Sequence, residues 1–205
     1  MPIVKTKKTK HYTYSLWEIT EELEELMLQL QAEEKELIEI SRINNVLRKK
    51  QNIAARLILN HLANKKINLS YLKNGAPFCH HFQYISVSHS NNYAVLVVSE
   101  NHIGIDIQHK KHNIEQLKTK FINPIEEKYL NDKPINNTLH FIWCAKEAIY
   151  KTLNSLCSLR DNIIIDNVFK GKKSSGYYQK NKKIKKYNLY YEKFNNYFLV
   201  LAKIK

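Results

Sequence analysis

The amino-acid sequence predicts an α+β fold in which two lobes, residues 1–105 and 106–205, each combine helices with strands. In both halves of the 205-residue chain, segments with helical spacing of apolar residues precede alternating, strand-like segments. Hydrophobic residues make up 43% of the chain, and only four glycines and four prolines interrupt it. These proportions are ordinary for a packed globular protein and leave little sequence for disordered linkers.

The first lobe is predicted to place three amphipathic helices among short strands. Helices are expected at 20–31, 33–39 and 45–64, with Arg48 and Arg56 on the polar side of the third. The leucines and other apolar residues expected to face the core are Leu23, Leu26, Leu30, Leu37, Val46, Ile53, Leu57 and Leu62. Predicted strands are 12–18, 85–88, 93–99 and 103–108, with residues 100–102 as a hairpin turn between the last two.

The second lobe is predicted to repeat the order of helices followed by strands. Helices are expected at 114–121, 124–130 and 138–153, with a loop at 132–137. Aromatic and β-branched residues then predict strands at 163–169, 176–181, 187–194 and 197–204. Lysine-rich turns are expected at 170–175 and 180–186.

The net charge of +14 is unevenly distributed along the chain. Residues 18–39 hold nine of the nineteen acidic residues and one lysine, so the remaining chain has 32 basic and 10 acidic residues. Such a surface favours a polyanionic ligand, an acidic protein or nucleic acid as a partner. Nucleic acid is the weaker alternative, because no recognised binding motif accompanies the charge and the thirteen tyrosines lie mostly in alternating strands.

Membrane insertion and extracellular cross-linking are not expected. No run of about twenty apolar residues occurs, and the N-terminus lacks the apolar core of a signal peptide, so a cytoplasmic location is expected. Three cysteines without CxxC spacing indicate neither a disulfide framework nor a zinc site.

Four polar residues in two segments have spacing that suits phosphate chemistry with a metal ion. Asp106 and Gln108 share one face of a predicted strand, and Glu147 and Lys151 are four residues apart on a predicted helix. Carboxylate and amide oxygens are ligands for Mg²⁺, and an ammonium group can neutralise a phosphate. The spacing alone also fits an ordinary surface pair of Glu147 and Lys151. Asp106 is harder to explain that way, because a carboxylate within an apolar run is costly unless it is paired.

Three segments resemble successive motifs of the 4′-phosphopantetheinyl transferases, in particular the two-lobed, surfactin-type branch. In chain order they are ISVSHS at 85–90, IGIDI at 103–107 and WCAKEAIYK at 143–151. Weaker support comes from the arginine-bearing segment with Arg48 and Arg56, from the turn NGAP at 74–77, and from the segment 121–126. The resemblance extends over roughly residues 12–200.

This resemblance implies two similar lobes arranged as a pseudo-dimer with the active site between them, and a monomer. The enzyme would move the 4′-phosphopantetheine arm of coenzyme A to a serine of an acidic acyl or peptidyl carrier protein, releasing adenosine 3′,5′-bisphosphate. Mg²⁺ would be bound by Asp106, Gln108 and Glu147, with Glu147 and Lys151 as catalytic residues. The residues implied to hold the coenzyme are Arg48, Arg56, Ser88, His89 and Lys151.

Two residues depart from the family pattern. Gln108 stands where the pattern has a second acidic residue, and Ala76 stands where a turn of the family has a lysine. A glutamine brings no charge to a metal, and an alanine makes no phosphate contact. An alternative is therefore a transferase-fold protein with weakened or lost turnover, beside the alternative of a basic nucleic-acid-binding module.

Overall fold

The computed structural model describes residues 2–131, 134–153, 156–168 and 173–205, which form a mixed α/β protein. The chain divides into two compact units, Met1–Glu100 and Asn101–Lys205. The predicted boundary between residues 105 and 106 lies inside a strand of the second unit. Parts of the predicted loop 132–137, strand 163–169 and turn 170–175 lie outside the described residues. None of the described helices is long and apolar enough to cross a membrane.

Unit 1 contains a four-stranded antiparallel sheet with strand order β1-β2-β6-β5, three helices and a two-stranded ribbon. Its elements are β1 (Ile3–Lys8), β2 (Tyr12–Glu18), α1 (Leu23–Leu30), α2 (Glu34–Ser41), α3 (Val46–Ala63), β3 (Ser70–Tyr71), β4 (Pro77–Phe78), β5 (Tyr84–Ser90) and β6 (Tyr93–Ser99). The prediction missed β1, because the lysines of IVKTKK conceal an edge strand whose residues are largely exposed.

Helix α3 organises the core of unit 1. The Asn45 side chain accepts a hydrogen bond from the Arg48 amide at 2.9 Å, and Asn64 ends the helix with a left-handed backbone. Its buried face carries Ile53 and Ile58, which pack in one cluster with residues of β2 and β6. The termini thus follow from two asparagines, and the apolar face between them sets how the helix packs.

Three predicted side-chain orientations in unit 1 are wrong. Val46 is 57% exposed, because it occupies the first turn of α3 before the helix meets the sheet. Leu37 is exposed and Ile40 is buried in its place, since α2 turns Glu36 and Ile40 inward. Arg56, expected on the polar side of α3, is buried.

The predicted hairpin at 100–102 is also wrong. β6 pairs with β2 and β5 in the sheet of unit 1. The next strand along the chain, at 103–109, belongs to the sheet of unit 2 instead. Two adjacent strand-like segments with a short turn resemble a hairpin in sequence, because the pattern does not encode which partner each strand chooses.

Unit 2 is built on a five-stranded antiparallel sheet with strand order β7-β11-β10-β9-β8. Its strands and α-helices are β7 (Ile103–His109), α4 (Lys118–Phe121), α5 (Ile135–Tyr150), β8 (Ile163–Asn167), β9 (Lys173–Lys180), β10 (Lys183–Phe194) and β11 (Tyr197–Ile204). Two short 3₁₀ helices, Ile114–Leu117 and Pro124–Tyr129, flank α4. Helix α5 packs on β7 and β11 and supplies much of the core.

A fully buried ion pair fastens α5 to the Pro124–Tyr129 turn. Lys146 Nζ lies 2.7 Å from Glu126 Oε2, and neither side chain is exposed. Glu126 also accepts the amide of Ile165 at 2.7 Å, and Lys146 donates to the Leu159 carbonyl at 2.9 Å. Both charged groups thus also pair with backbone groups, which offsets part of the cost of burying them.

Candidate active site

The candidate site in unit 2 depends on close contact between β7 and the last turns of α5. Side-chain alternation places Gly104, Asp106 and Gln108 on the face of the sheet that α5 covers. A Cβ atom on Gly104 would lie 2.0 Å from the Ala148 carbonyl oxygen and 3.1 Å from Thr152 Cγ2. Glycine at this position therefore lets the helix lie directly against the strand.

Asp106 is the centre of the site and is only 2% exposed. Lys151, the residue after α5, places its Nζ atom 2.7 Å from Asp106 Oδ1 and donates to the Ile105 carbonyl at 3.0 Å. Gln108 Nε2 donates to the other carboxylate oxygen, Oδ2, at 2.8 Å. The buried carboxylate is therefore held by an ammonium group on one oxygen and an amide group on the other.

The thiol of Cys144 fixes the backbone beside this carboxylate. Its Sγ atom donates to the Asp106 carbonyl at 3.2 Å from a fully buried position on α5. Burial and the charge of Asp106 hold the pKa of Cys144 well above its usual value, so the thiol stays protonated and acts as a donor. The sequence signal for Cys144, a cysteine within an apolar helix, predicts burial but not this hydrogen bond.

Glu147 lies near Asp106 with a half-buried carboxylate. Burial and then the negative charge of Asp106 raise the pKa of Glu147, and Lys151 opposes this effect. Among the described residues, none donates a side-chain hydrogen bond or forms an ion pair with the Glu147 carboxylate. Within the described part of the chain, Glu147 is thus a carboxylate without a side-chain donor, beside a second carboxylate.

The carboxylate oxygens of Asp106 and Glu147 are suitable ligands for a hard divalent cation. Two neighbouring carboxylates, one of which raises the pKa of the other, form an arrangement that a cation would stabilise. Within the described part of the chain, no group of three or more histidine, cysteine, aspartate or glutamate side chains is arranged for a metal. A metal held by the two carboxylates of Asp106 and Glu147 would leave positions for substrate phosphates and water.

The predicted coenzyme-binding residues Ser88 and His89 lie on β5, at the edge of the sheet of unit 1. They occupy opposite faces of the strand, with Ser88 buried and His89 exposed. The turn between β3 and β4 contains Gly75 with a φ of +80°, and Asn74 accepts the amide of Ala76 at 3.1 Å. The turn expected at 74–77 is therefore present, with the short alanine side chain at its end.

The two predicted arginines have very different surroundings. Arg48 is exposed on the first turn of α3. Arg56 is 1% exposed and places its guanidinium nitrogens 3.0 Å from Glu36 and 2.7 Å from Glu39, while its Nε donates to Asn52 at 3.0 Å. Arg56 thus fastens α2 to α3, and a pattern of two arginines eight residues apart does not distinguish these roles.

Comparison with known proteins gives one match and one negative result. Residues 102–202 match the family model of the 4′-phosphopantetheinyl transferase superfamily. No curated protein matches the chain. The matched segment contains Asp106, Gln108, Glu147 and Lys151, and it supports phosphopantetheine transfer as the class of function. Almost all of unit 2 therefore carries the sequence pattern of the 4′-phosphopantetheinyl transferase superfamily.

Proposed function

We propose that this protein transfers the 4′-phosphopantetheine arm of coenzyme A to a serine hydroxyl of an acyl or peptidyl carrier protein, and that Mg²⁺ is required. The observation that supports this best is the grouping of Asp106, Glu147 and Lys151 at the contact of β7 and α5, within the segment that matches the superfamily. The surfactin-type branch, with two lobes as a pseudo-dimer and the active site between them, remains part of the proposal.

Asp106 and Glu147 would hold the metal, and Gln108 is the third candidate ligand of the sequence pattern. When bound, Mg²⁺ would neutralise charge on the pyrophosphate of coenzyme A and on the leaving phosphate. Lys151 would stabilise the same charge as a compact ammonium group, 25% exposed at the end of α5. These residues contribute mainly by positioning and by charge neutralisation.

Glu147 is our candidate general base. The serine oxygen of the carrier attacks the phosphorus that bears the pantetheine arm, and the P–O bond to adenosine 3′,5′-bisphosphate breaks. The serine proton passes to the Glu147 carboxylate, directly or through one water. A raised pKa suits this role, because a base with a pKa closer to neutrality takes up a proton more readily.

Arg48, Ser88 and His89 of unit 1 are proposed to bind phosphates of the coenzyme. Arg48 is exposed, as such a role requires. Arg56 was predicted to share this role, but it would reach a phosphate only by leaving a buried ion pair with Glu36 and a partly buried one with Glu39. We therefore assign Arg56 to the structure of unit 1.

The proposed setting is the cytoplasm, with the protein acting as a monomer. The three cysteines are free, which is the usual state in a reducing compartment. Size-exclusion chromatography with light scattering would test the monomer, for which a mass near 24.3 kDa is expected.

Mass spectrometry of an apo carrier protein, incubated with coenzyme A, Mg²⁺ and this protein, tests the proposed reaction. The expected result is a mass gain of one phosphopantetheine arm, which Asp106→Asn abolishes. A panel of carriers from several pathways is used, because the natural acceptor is not identified.

Coenzyme binding without any mass gain across the panel would favour a transferase fold without turnover, an alternative that the uncharged Gln108 suggests. Salt-sensitive oligonucleotide binding without coenzyme binding would favour the nucleic-acid module.

A further inference from the structure

The carboxylate that the metal would need is already held by two donors of the protein itself. Lys151 Nζ lies 2.7 Å from Asp106 Oδ1, and Gln108 Nε2 lies 2.8 Å from Asp106 Oδ2. Both distances are those of charge-assisted hydrogen bonds. Since Asp106 is only 2% exposed, these donors replace the water that an exposed carboxylate would have.

The orientation of the Gln108 amide follows from the charge of its partner. An ionised carboxylate only accepts hydrogen bonds, and Asp106 forms an ion pair with Lys151 at 2.7 Å. The amide nitrogen must therefore face Asp106, and the amide oxygen cannot occupy the same position. For Gln108 to offer its oxygen to a metal on Asp106, the amide would have to turn and give up this hydrogen bond.

The ammonium group of Lys151 and a divalent cation would also compete for the negative charge of the Asp106 carboxylate. Two cations within contact of one buried carboxylate repel each other strongly, because little solvent screens them. The Lys151 side chain is 25% exposed and has a flexible four-carbon stem, so it can leave Asp106 without unfolding the helix end.

We propose that Lys151 and Gln108 stabilise Asp106 in the metal-free protein, and that a divalent cation binding to Asp106 releases both. Gln108 is then a positioning residue for Asp106 in the metal-free state. The ammonium of Lys151 becomes available to a phosphate only after the metal has bound, which orders the two binding events. This inference rests on the proposed function for the identity of the ligands, and on the two hydrogen bonds for the coupling.

Side-chain NMR of the full-length protein tests the release directly. The Gln108 amide and the Lys151 ammonium signals, assigned with Gln108→Met and Lys151→Met, are followed during a titration with MgCl₂. Both signals are expected to move with one midpoint, the Gln108 amide protons losing the downfield shift of a strong hydrogen bond. Unchanged Gln108 and Lys151 signals at saturating Mg²⁺ would overturn the proposal, as would a failure to bind Mg²⁺ or Mn²⁺ at all.

Mn²⁺ affinity, measured by electron paramagnetic resonance at constant ionic strength, gives a second test. Removing the competing ammonium in Lys151→Met should tighten Mn²⁺ binding about tenfold, within the usual range for coupled ligands. Lys151→Arg retains the charge and should stay near wild type. Lys180→Met is the matched control, because it removes a lysine of unit 2 whose ammonium donates to Leu156 and not to Asp106.

An equal effect of Lys151→Met and Lys180→Met would reduce the coupling to a general charge effect and contradict the proposal. If Lys151→Met does not fold, the wild-type titration still decides the question. Coupled shifts without transfer to any carrier would reject the proposed reaction and leave the coupling intact. Transfer without coupled shifts would support the proposed reaction and reject the coupling.

Discussion

At the scale of single residues, the site contains two neighbouring carboxylates that differ in burial and in hydrogen bonding. Asp106 is buried and held by two donors, whereas Glu147 is half-buried and has no side-chain donor among the described residues. Burial and then the charge of Asp106 raise the pKa of Glu147, which favours the protonated form of that side chain. In the proposed reaction, Asp106 therefore serves as a ligand alone, whereas Glu147 combines the role of ligand with that of proton acceptor.

The pKa of Glu147 in the metal-free protein follows from these surroundings. We expect it to lie above that of an exposed glutamate, because burial and Asp106 both disfavour the ionised form. Asp106→Asn should lower the pKa, and Lys151→Met should raise it further. Carbon-13 NMR titration of the side-chain carboxyl in the presence of a chelator measures these shifts. A Glu147 pKa at or below that of an exposed glutamate would contradict this view of the site.

The same shift predicts how Glu147→Gln changes stability with pH. An acid whose pKa is raised by folding contributes stability below its unfolded pKa, and this contribution is lost as the pH rises through the folded pKa. Glu147→Gln should therefore be more stable than wild type near pH 7, with the difference vanishing in acid. Urea denaturation of both metal-free proteins at several pH values measures it. A variant less stable than wild type at neutral pH would be the contrary result.

Gly104 belongs to the IGIDI segment and also allows the close contact between β7 and α5. Gly104→Ala should destabilise the protein by about 1–3 kcal/mol, the usual cost of overpacking, because the new Cβ would meet backbone of α5. Transfer and metal binding should also fall, since α5 carries Glu147. The matched control is Gly176→Ala, whose Cβ would lie 2.8 Å from the Ile164 carbonyl oxygen on β8. Gly176→Ala should lose stability and retain metal binding. Equal metal affinity in Gly104→Ala and Gly176→Ala would contradict the role of Gly104 in positioning α5.

At the scale of secondary-structure elements, unit 2 depends on a charged contact that the sequence did not predict. Glu126 follows Pro124 and fits an ordinary acidic first turn, and its side chain does accept the Asn123 amide as such a residue would. The same side chain also forms the buried ion pair with Lys146. The one sequence signal was a lysine within the apolar run of α5, which a pairing partner must accompany.

Breaking this ion pair should be costly. Glu126→Gln or Lys146→Met is expected to destabilise the protein by about 3–5 kcal/mol, because each leaves one buried charge uncompensated. The double variant should be less destabilised than the sum of the two. Lys50→Met is the control, since its partner Glu22 is exposed and such surface pairs contribute about 0–1 kcal/mol. Urea midpoints of wild type and the four variants measure these effects, and strictly additive effects would count against a direct pair.

The elements themselves were largely predictable, and their partners were not. β2, β6 and β11 have the predicted bounds, since each is a run of apolar or aromatic residues with clear turn residues beside it. β1 was missed because its lysines resemble a solvated segment. Local patterns report exposure along a strand, whereas pairing between β6 and distant β2 depends on the whole fold.

The candidate site divides in the same way. Spacing indicated that Asp106 shares a face with Gln108 and that Glu147 shares a face with Lys151. In the structure, Gln108 and Lys151 both donate to Asp106. Spacing gave no indication that Gln108 donates to Asp106 or that Arg56 is buried between two glutamates. Both depend on which charged groups tertiary packing brings near, a property that no local period encodes.

At the scale of the whole molecule, the net charge of +14 is the main property that bears on partners. The three acidic residues Glu36, Glu39 and Glu126 are engaged with buried cations, so they do little to offset the lysines at the surface. A protein of this charge attracts acidic partners and does so less at high ionic strength.

Salt should therefore weaken the recognition of an acidic carrier more than the chemical step. Between 0.1 M and 1 M salt, the Debye length falls from about 10 Å to about 3 Å, which screens surface charges from each other. We expect KM for the carrier to rise with salt while kcat changes little. Steady-state transfer assays over a salt series, at saturating coenzyme A, measure both constants. A KM independent of salt would show that the surface charge does not guide the carrier.

The central claim is that Glu147 takes part in phosphopantetheine transfer, and one measurement tests it most directly. The rate of mass gain of an apo carrier is compared for wild type, Glu147→Gln and Glu127→Gln. Glu127 is the matched control, because it is an exposed acid of the same unit whose ion pair with Lys118 is long, at 3.8 Å. Loss of a general base should slow transfer about 10²–10⁴-fold in Glu147→Gln, and Glu127→Gln should match wild type. Equal rates for the three proteins, or no mass gain with any of them, would contradict the claim.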